Sequence, residues 1–287
     1  MVVADAVLDM PPKARTGRKA RSLGLLGSRL AVGAFILVTV VVVLAPVLAP
    51  YGAADIAGAP ALPPGTAGHW LGTDDAGRDL LSRALYGART SWLCALAIVA
   101  LGALIGGLVG VIAGERGGVV DTVLMRTTDA FLALPAPVLA VAVVAALGAG
   151  LTHTLIAVSI VWWPYYARIV RGEVRALAAR PHVEAARLAG AGRFSITVRH
   201  LLPGVIPSTI VAASQDVGNV VLTLAALSFL GLGAAAPAAE LGGDTARNLS
   251  YLLQYWWIPV VPGIAVGLLS LIATASGDGV NTLFRRR

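Results

Sequence analysis

Residues 90–114 read TSWLCALAIVALGALIGGLVGVIAG, a run of twenty-five without one Asp, Glu, Lys or Arg. A helix rises 1.5 Å per residue, so about 20 apolar residues cross a hydrocarbon layer roughly 30 Å thick. This run is longer than that. Gly102, Gly106, Gly107 and Gly110 recur inside it at spacings of three and four, which lays small residues along one side of a helix. In lipid such a stripe lets two backbones approach closely. It therefore predicts a helix-packing face and not a catalytic one.

Outward from this run, residues 30–48 and 130–167 are equally free of charge. The whole chain of 287 residues is 57% hydrophobic and 13% charged, with a mean hydropathy of +0.81. Soluble domains carry roughly 25% charged residues. The chain is read as an all-α polytopic membrane protein with six transmembrane helices at about 29–49, 88–114, 122–147, 151–174, 202–232 and 255–283. Pro46 and Pro50 mark the exit of the first, Gly117-Gly118 turns the chain between the second and third, and Pro135 and Pro137 interrupt the third. Gly148-Ala149-Gly150 separates the third from the fourth. Residues 1–28 form a basic cytoplasmic tail and 29–284 the membrane domain. Within it lie an extracytoplasmic segment at 51–83, a cytoplasmic loop at 175–200 and an outer loop at 233–254. Residues 285–287 are a basic C-terminus.

The net charge of +7 is resolved by where the cations stand. Eighteen of the 22 Lys and Arg fall in segments assigned to the cytoplasm, against four outside, Arg78, Arg83, Arg89 and Arg247. That asymmetry is the positive-inside pattern, and six spans put both basic termini on the cytoplasmic side. It leaves no case for nucleic-acid binding. Cys94, the single cysteine, sits in an apolar run and supports neither a disulfide nor a thiol metal site. The first apolar run is long for a signal-peptide core and is read as a retained anchor. Trp256-Trp257 fits an interfacial belt. Trp162-Trp163, beside Pro164 and Tyr165-Tyr166, lies deeper and either packs against another helix or lines a route, with Trp162 and Tyr165 as the candidates.

The cytoplasmic stretch 181–203 begins PHVEAARLAG and ends HLLP. Pro181 suits the first turn of a short helix, Ala185, Ala186 and Ala189 give it a smooth surface, and Gly190 and Gly192 stop it. The result is a short rigid projection. Glu-Ala-Ala, three residues, Gly, nine residues and a closing hydrophobic-x-Leu-Pro is similar to the signature loop of ABC importer permeases. The match falls on Glu184, Ala185, Ala186, Gly190, Leu202 and Pro203, and the departure on His200, where the pattern has an aliphatic residue.

Two further stretches narrow the resemblance. His69-Trp70-Leu71-Gly72-Thr73-Asp74-Asp75-Ala76-Gly77-Arg78-Asp79, followed by Ser82-Arg83, resembles the dipeptide/oligopeptide/nickel permeases, and the "C" member of each pair in particular. Ala225 to Gly233 and Gly277-Asp278-Gly279 agree with it. The resemblance covers about residues 29–284. It implies a type I (MetI-like) permease fold in a bacterial inner membrane, pairing with a related "B" permease, two ATPase subunits and an extracytoplasmic substrate-binding protein. It also implies that the six matched loop residues dock the ATPase. Peptides are the leading cargo, with nickel or another small solute as the alternative. ATP and Mg belong to the partner ATPases. No Gly-x4-Gly-Lys-Ser/Thr occurs in this chain, so it lacks the usual phosphate-cradling loop, and it is expected to be non-catalytic and free of cofactor and metal. His69 with Asp74, Asp75 and Asp79 could bind a cation, but glycines and opposite charges at this spacing equally build a folded loop with internal Asp–Arg pairs, and the loop is the favoured reading. The same segment is a candidate contact for the binding protein.

Asp216 falls within the fifth span, where an ionised group is costly and faces a polar cavity or a partner. In the resembled family that place is small and an acid is common at the position of Leu224. Asp216 and Asn219 are thus candidates for the translocation path, against a reading in which Asp216 bonds locally to Asn219, Ser214 or a neighbouring helix. After Pro237 the outer loop runs Ala-Ala-Glu-Leu-Gly and lacks the Trp-Gly of the resembled family. A proton-coupled transporter would want inverted repeats and several intramembrane acids, and an intramembrane enzyme would want paired aspartates or His-Glu-x-x-His. Neither pattern is evident.

Overall fold

A computed structural model describes residues 18–284, with side chains from 27 to 283. The expectations for residues 1–17 and 285–287 lie outside the described residues. Regular structure among the described residues is helical, with only isolated bridges such as Ile56 to Arg78 and Thr73 to Asp79 in the segment before the second long helix. Helix α1 (Arg18–Val43) leads into a short α2 (Ala45–Leu48) that opens on Pro46. It starts at Arg18, inside the stretch assigned to the tail, because Arg, Lys, Ala and Leu there are good helix formers.

Helix α3 (Leu80–Arg116) begins earlier than the span boundary at 88, since Asp79 caps it by accepting the Ser82 amide at 2.8 Å. It stops at Gly117, whose φ of +63° needs no Cβ. Helices α4 (Gly118–Leu132) and α5 (Ala136–Leu147) meet at an 87° bend. Pro135, before the first residue of α5, and Pro137, in its first turn, account for the break. Helix α6 (Leu151–Ala178) precedes α7 (Pro181–Leu188) and α8 (Arg193–Ile196). A π-helical turn, Thr197–Leu201, runs straight into α9 (Leu202–Phe229). Last come α10 (Leu241–Arg247), a 3-10 turn at Leu249–Tyr251, and α11 (Trp257–Phe284).

Among the described residues three helices are long and apolar enough to cross a membrane: Leu80–Arg116, Arg193–Phe229 and Trp257–Leu283. The bent pair α4 and α5 adds a fourth if it is one broken span. The apolar part of α1, Gly27–Val43, is shorter, and the second half of α6 carries Arg168, Arg171, Glu173 and Arg175.

The glycine stripe of α3 seats α6. A Cβ on Gly106 would stand 2.2 Å from the Trp163 carbonyl oxygen, and one on Gly110 2.7 Å from that of Ala167, whereas Gly107 faces open space. Gly218 brings α9 as close to α11, where an added Cβ would meet Thr274 Oγ1 at 2.5 Å. Trp92, Ile98, Tyr166, Val220 and Leu227 form the main core between these helices. Helix α1 joins it through Trp92 Nε1, which donates to Thr39 Oγ1 at 3.1 Å, and through Ser276 Oγ, which donates to the Ala31 carbonyl at 2.6 Å.

Candidate functional site

Helix α7 stands on a single buried side chain. Val183, fully enclosed, joins a second apolar cluster with Val111 of α3, Val170, Val174 and Leu177 of α6, and Leu201 and Val205 at the root of α9. Glu184, Ala185, Arg187 and Leu188 are exposed, and Ala186 is half-buried. Pro181 occupies the first turn, where its missing amide proton costs nothing. At the other end Gly190, at φ +85°, donates to the Arg187 carbonyl at 3.1 Å, and Ala191 donates to that of Ala186 at 3.0 Å. This pair of bonds is the Schellman closure, which requires a left-handed residue at position 190. The projection is held rigid at both ends.

Its base is braced by ions. Asp121 in the first turn of α4 accepts hydrogen bonds from Arg171 and Arg175 of α6. The Arg171 hydrogen bond, with the charges of Arg171 and Arg175, holds the Asp121 carboxyl below the usual carboxylate range against the opposing effect of burial. Leu202 and Pro203 lie in the first turn of α9, half-buried and exposed respectively. Pro203 has no N–H to continue the ladder, and the Leu202 amide reaches back to the Thr197 carbonyl, which makes the π-helical turn. The His200 ring in that turn lies 6.2 Å from the ring of His182 on α7. The pairing of these histidines across eighteen positions had no local signal in the sequence.

Between α6 and α9 sits Asp216, 7% exposed. Its Oδ2 accepts from Trp162 Nε1 and from the Tyr166 hydroxyl at 2.9 Å, and Asn219 is a third hydrogen-bond partner. Asn219 itself is exposed on α9, and Tyr165 is exposed on α6 with its ring 5.3 Å from that of Tyr166. Of the two readings of Asp216, this geometry matches a bond to a neighbouring helix. Leu224, by contrast, is packed in the main core.

The stretch 69–79 is folded on itself. His69 Nδ1 lies 3.0 Å from Asp79 Oδ1, while Asp79 Oδ2 takes the Ser82 amide and hydroxyl. Asp74 Oδ1 accepts the Ala76 and Arg78 amides, and its Oδ2 accepts Arg78 Nε at 2.6 Å. Gly72 and Gly77 have positive φ, and an added Cβ on either would sit 2.3 Å from a carbonyl oxygen of residues 58–62. Asp75 and Trp70 face outward, Trp70 at 79% exposure. The described residues contain no group of three or more His, Cys, Asp and Glu placed to hold a metal. Arg83 then links this fold to the far end of the chain. Its guanidinium lies 3.6 Å from Asp74, donates to Asp244 of α10 at 2.6 Å and reaches the carbonyls of Ala53 and Pro237. Asp244 lies 161 positions away, and no spacing in the sequence marked it as Arg83's partner. Glu240, buried, caps α10 by accepting the amides of Gly242 and Gly243, and burial pushes its carboxyl above the usual range.

Residues 106–287 match the family described as the binding-protein-dependent transport system inner membrane component. The chain belongs to this family. It is a permease subunit of an ABC importer. The permease is 41% identical to the probable D,D-dipeptide transport system permease protein DdpC of Escherichia coli (strain K12), over 77% of this chain and 74% of that protein. It is 40% identical to the nickel transport system permease protein NikC of the same strain, over 74% and 76%, and 41% identical to the di/tripeptide transport system permease protein DppC of Pseudomonas aeruginosa (strain UCBPP-PA14), over 75% and 71%. Among solved structures, a chain of the MetNI methionine ABC transporter in an inward-facing conformation superposes with a TM-score of 0.55 at 23% identity, covering 70% of the permease and 95% of that chain. The shared fold is therefore the MetI-like one, and the resemblance to the dipeptide/oligopeptide/nickel "C" permeases holds over most of the chain.

Proposed function

We propose that this permease forms half of the translocation pathway of an importer for di- or oligopeptides, and that α7 is the element through which its ATPases drive it. The observation that carries the coupling role is the build of α7: an exposed face bearing Glu184 and Ala185 on a helix whose one buried side chain, Val183, is wedged among α3, α6 and α9. A force applied to that face passes through Val183 to the roots of three long helices. Glu184, Ala185, Ala186 and Gly190 form the dock, with Leu202 and Pro203 at the hinge into α9. Rocking of α4 to α9 then alternates access to a path along the α9 face that bears Asn219, with Tyr165 beside it. Trp162 and Asp216 hold α6 and α9 in register at that path.

In this reading α1, α3, the bent pair, α6, α9 and α11 are six spans, and both termini face the cytoplasm. The other half of the path is a "B"-type permease. Two ATPase subunits carry ATP and Mg, an extracytoplasmic protein delivers the cargo, and this chain has no catalytic or cofactor role. The Arg83 junction and the 69–79 fold form the outer surface offered to the delivery protein. Peptide cargo is favoured by the peptide permeases among the relatives, and nickel is the alternative because of the nickel permease at 40% identity. Uptake of radiolabelled dipeptide by cells carrying the full transporter, competed with unlabelled peptides, nickel and glutathione, separates them. Dipeptide uptake that unlabelled peptides compete and nickel does not supports the proposal. Cells that take up no dipeptide through the transporter but accumulate nickel through it replace the proposal with the nickel reading.

A further inference from the structure

One face of α3 runs from Leu104 through Gly107, Leu108 and Val111 to Glu115. Along its first part opens a groove of about 380 Å³, walled on the far side by Phe194, Val198, Leu202 and Ile206. The walls are almost wholly apolar. Phe194 is 82% exposed and Gly107 has nothing within 4 Å of an added Cβ. One helical turn further along the same face, at Glu115, lies a second cavity of about 340 Å³ lined by Arg187, Arg193, Ala191 and Ile196. Neither Arg187 nor Arg193 enters a salt bridge among the described residues. Two guanidiniums against the one carboxylate of Glu115 leave this second cavity net positive.

We propose that the two cavities form one site for an anionic phospholipid, its acyl chain along the α3 groove and its phosphate at Arg193 and Arg187. An apolar trough with a basic pocket one helical turn beyond it matches a molecule with a tail and an anionic head. Basic pockets between membrane helices on the cytoplasmic side recognise such heads. The dimensions agree: from Ala103 to Glu115 is about 18 Å of helix, against roughly 15 Å for one hydrocarbon leaflet. The site rests on the inward placement of α7 given above, and because Arg187 belongs to α7 the bound head would touch the coupling element directly.

The test uses the purified complex of both permeases and both ATPases in detergent, titrated with phosphatidylglycerol or phosphatidylethanolamine and read by native mass spectrometry. Phosphatidylglycerol is expected to be retained in preference to phosphatidylethanolamine. Arg193→Gln should weaken its binding about fivefold, the effect of one surface cation on an anionic lipid. Gly107→Leu, whose Cβ meets nothing within 4 Å and whose longer side chain enters the groove, should weaken it at least as much while the ATPases stay bound. Equal retention of the two lipids, or unchanged phosphatidylglycerol binding in both variants, overturns the proposal. So does efficient cross-linking of Gly107→Cys, in a Cys94→Ser background, to the partner permease, because the groove is then a protein interface. ATPase retention, read in the same spectra, separates a failure of this site from a failure of the docking role of α7.

Discussion

Trp162 and Tyr166 lie one helical turn apart on α6 and aim both their donors at one carboxylate oxygen of Asp216. Removing that acceptor strands a fully buried Tyr166 hydroxyl, and a buried donor without a partner costs about 1–3 kcal/mol. Asp216→Ala should therefore lower the melting temperature of the purified permease, and Asp216→Asn, which keeps an acceptor oxygen, should lower it less. If Asp216 acts only as this tie, Asp216→Asn changes uptake of neutral and cationic peptides in equal proportion, and a selective loss of the cationic peptide would assign the charge to the cargo. Arg83 is the sharper case. Arg83→Gln leaves Asp74 to Arg78 and Asp244 to Arg247, so its cost, read as a fall in the melting temperature of the purified permease, should be less than the about 3–5 kcal/mol of a buried charge left unpaired. Asp121 has a pH signature. Its carboxyl is held below the usual range by Arg171 and Arg175, so it stabilises the fold at and above the ordinary aspartate value near 3.9 and that contribution is lost as pH falls through its lower native value. Melting curves between about pH 5 and pH 2 should show a steeper acid loss for the parent than for Asp121→Asn.

The element scale is where adjacent residues part company. Gly106 and Gly107 are neighbours in the sequence, yet a methyl on Gly106 would collide with the Trp163 carbonyl and one on Gly107 would meet nothing. Gly106→Ala should cost about 1–3 kcal/mol by forcing α3 and α6 apart, and Gly107→Ala should cost none. Differential scanning fluorimetry of the two variants checks the pair. The small-residue stripe was legible from composition and spacing because lipid leaves few other uses for it. Which glycine faces α6 was not, since that depends on the azimuth of a partner helix far along the chain. The short helix at Pro181 and its Gly190 stop were legible for a similar reason: proline and a left-handed glycine act locally. The junction of Arg83 with Asp244, the grip of Trp162 and Tyr166 on Asp216, and the π-helical turn that aligns His200 with His182 are tertiary facts, and no periodicity encodes them. The start of α1 at Arg18 is not marked by charge, since the basic residues there suit a tail and are also good helix formers.

At the scale of the whole molecule, the outer fold of residues 69–79 and the projection of α7 are the parts that reach furthest from the apolar helices in kind, one built on Asp–Arg pairs and one on an exposed charged face. In the proposed topology they stand on opposite sides of the membrane. Trp70 and Leu188 are 79% and 86% exposed, so in a Cys94→Ser background Trp70→Cys should react with a membrane-impermeant thiol reagent in intact spheroplasts. Leu188→Cys should react only after permeabilisation. The opposite pattern would invert the molecule and remove α7 from the reach of an ATPase.

The most direct test of the central claim compares Glu184→Ala with the parent in the complete transporter, measuring the ATPase retained on the purified permease pair and the rate of peptide uptake. Glu184 is exposed and lies outside the Val183 cluster, so the melting temperature should not move. ATPase retention and uptake should fall together, by about tenfold, the equivalent of one lost hydrogen bond to a charged group. Parent-level retention and uptake in this variant would contradict the claim.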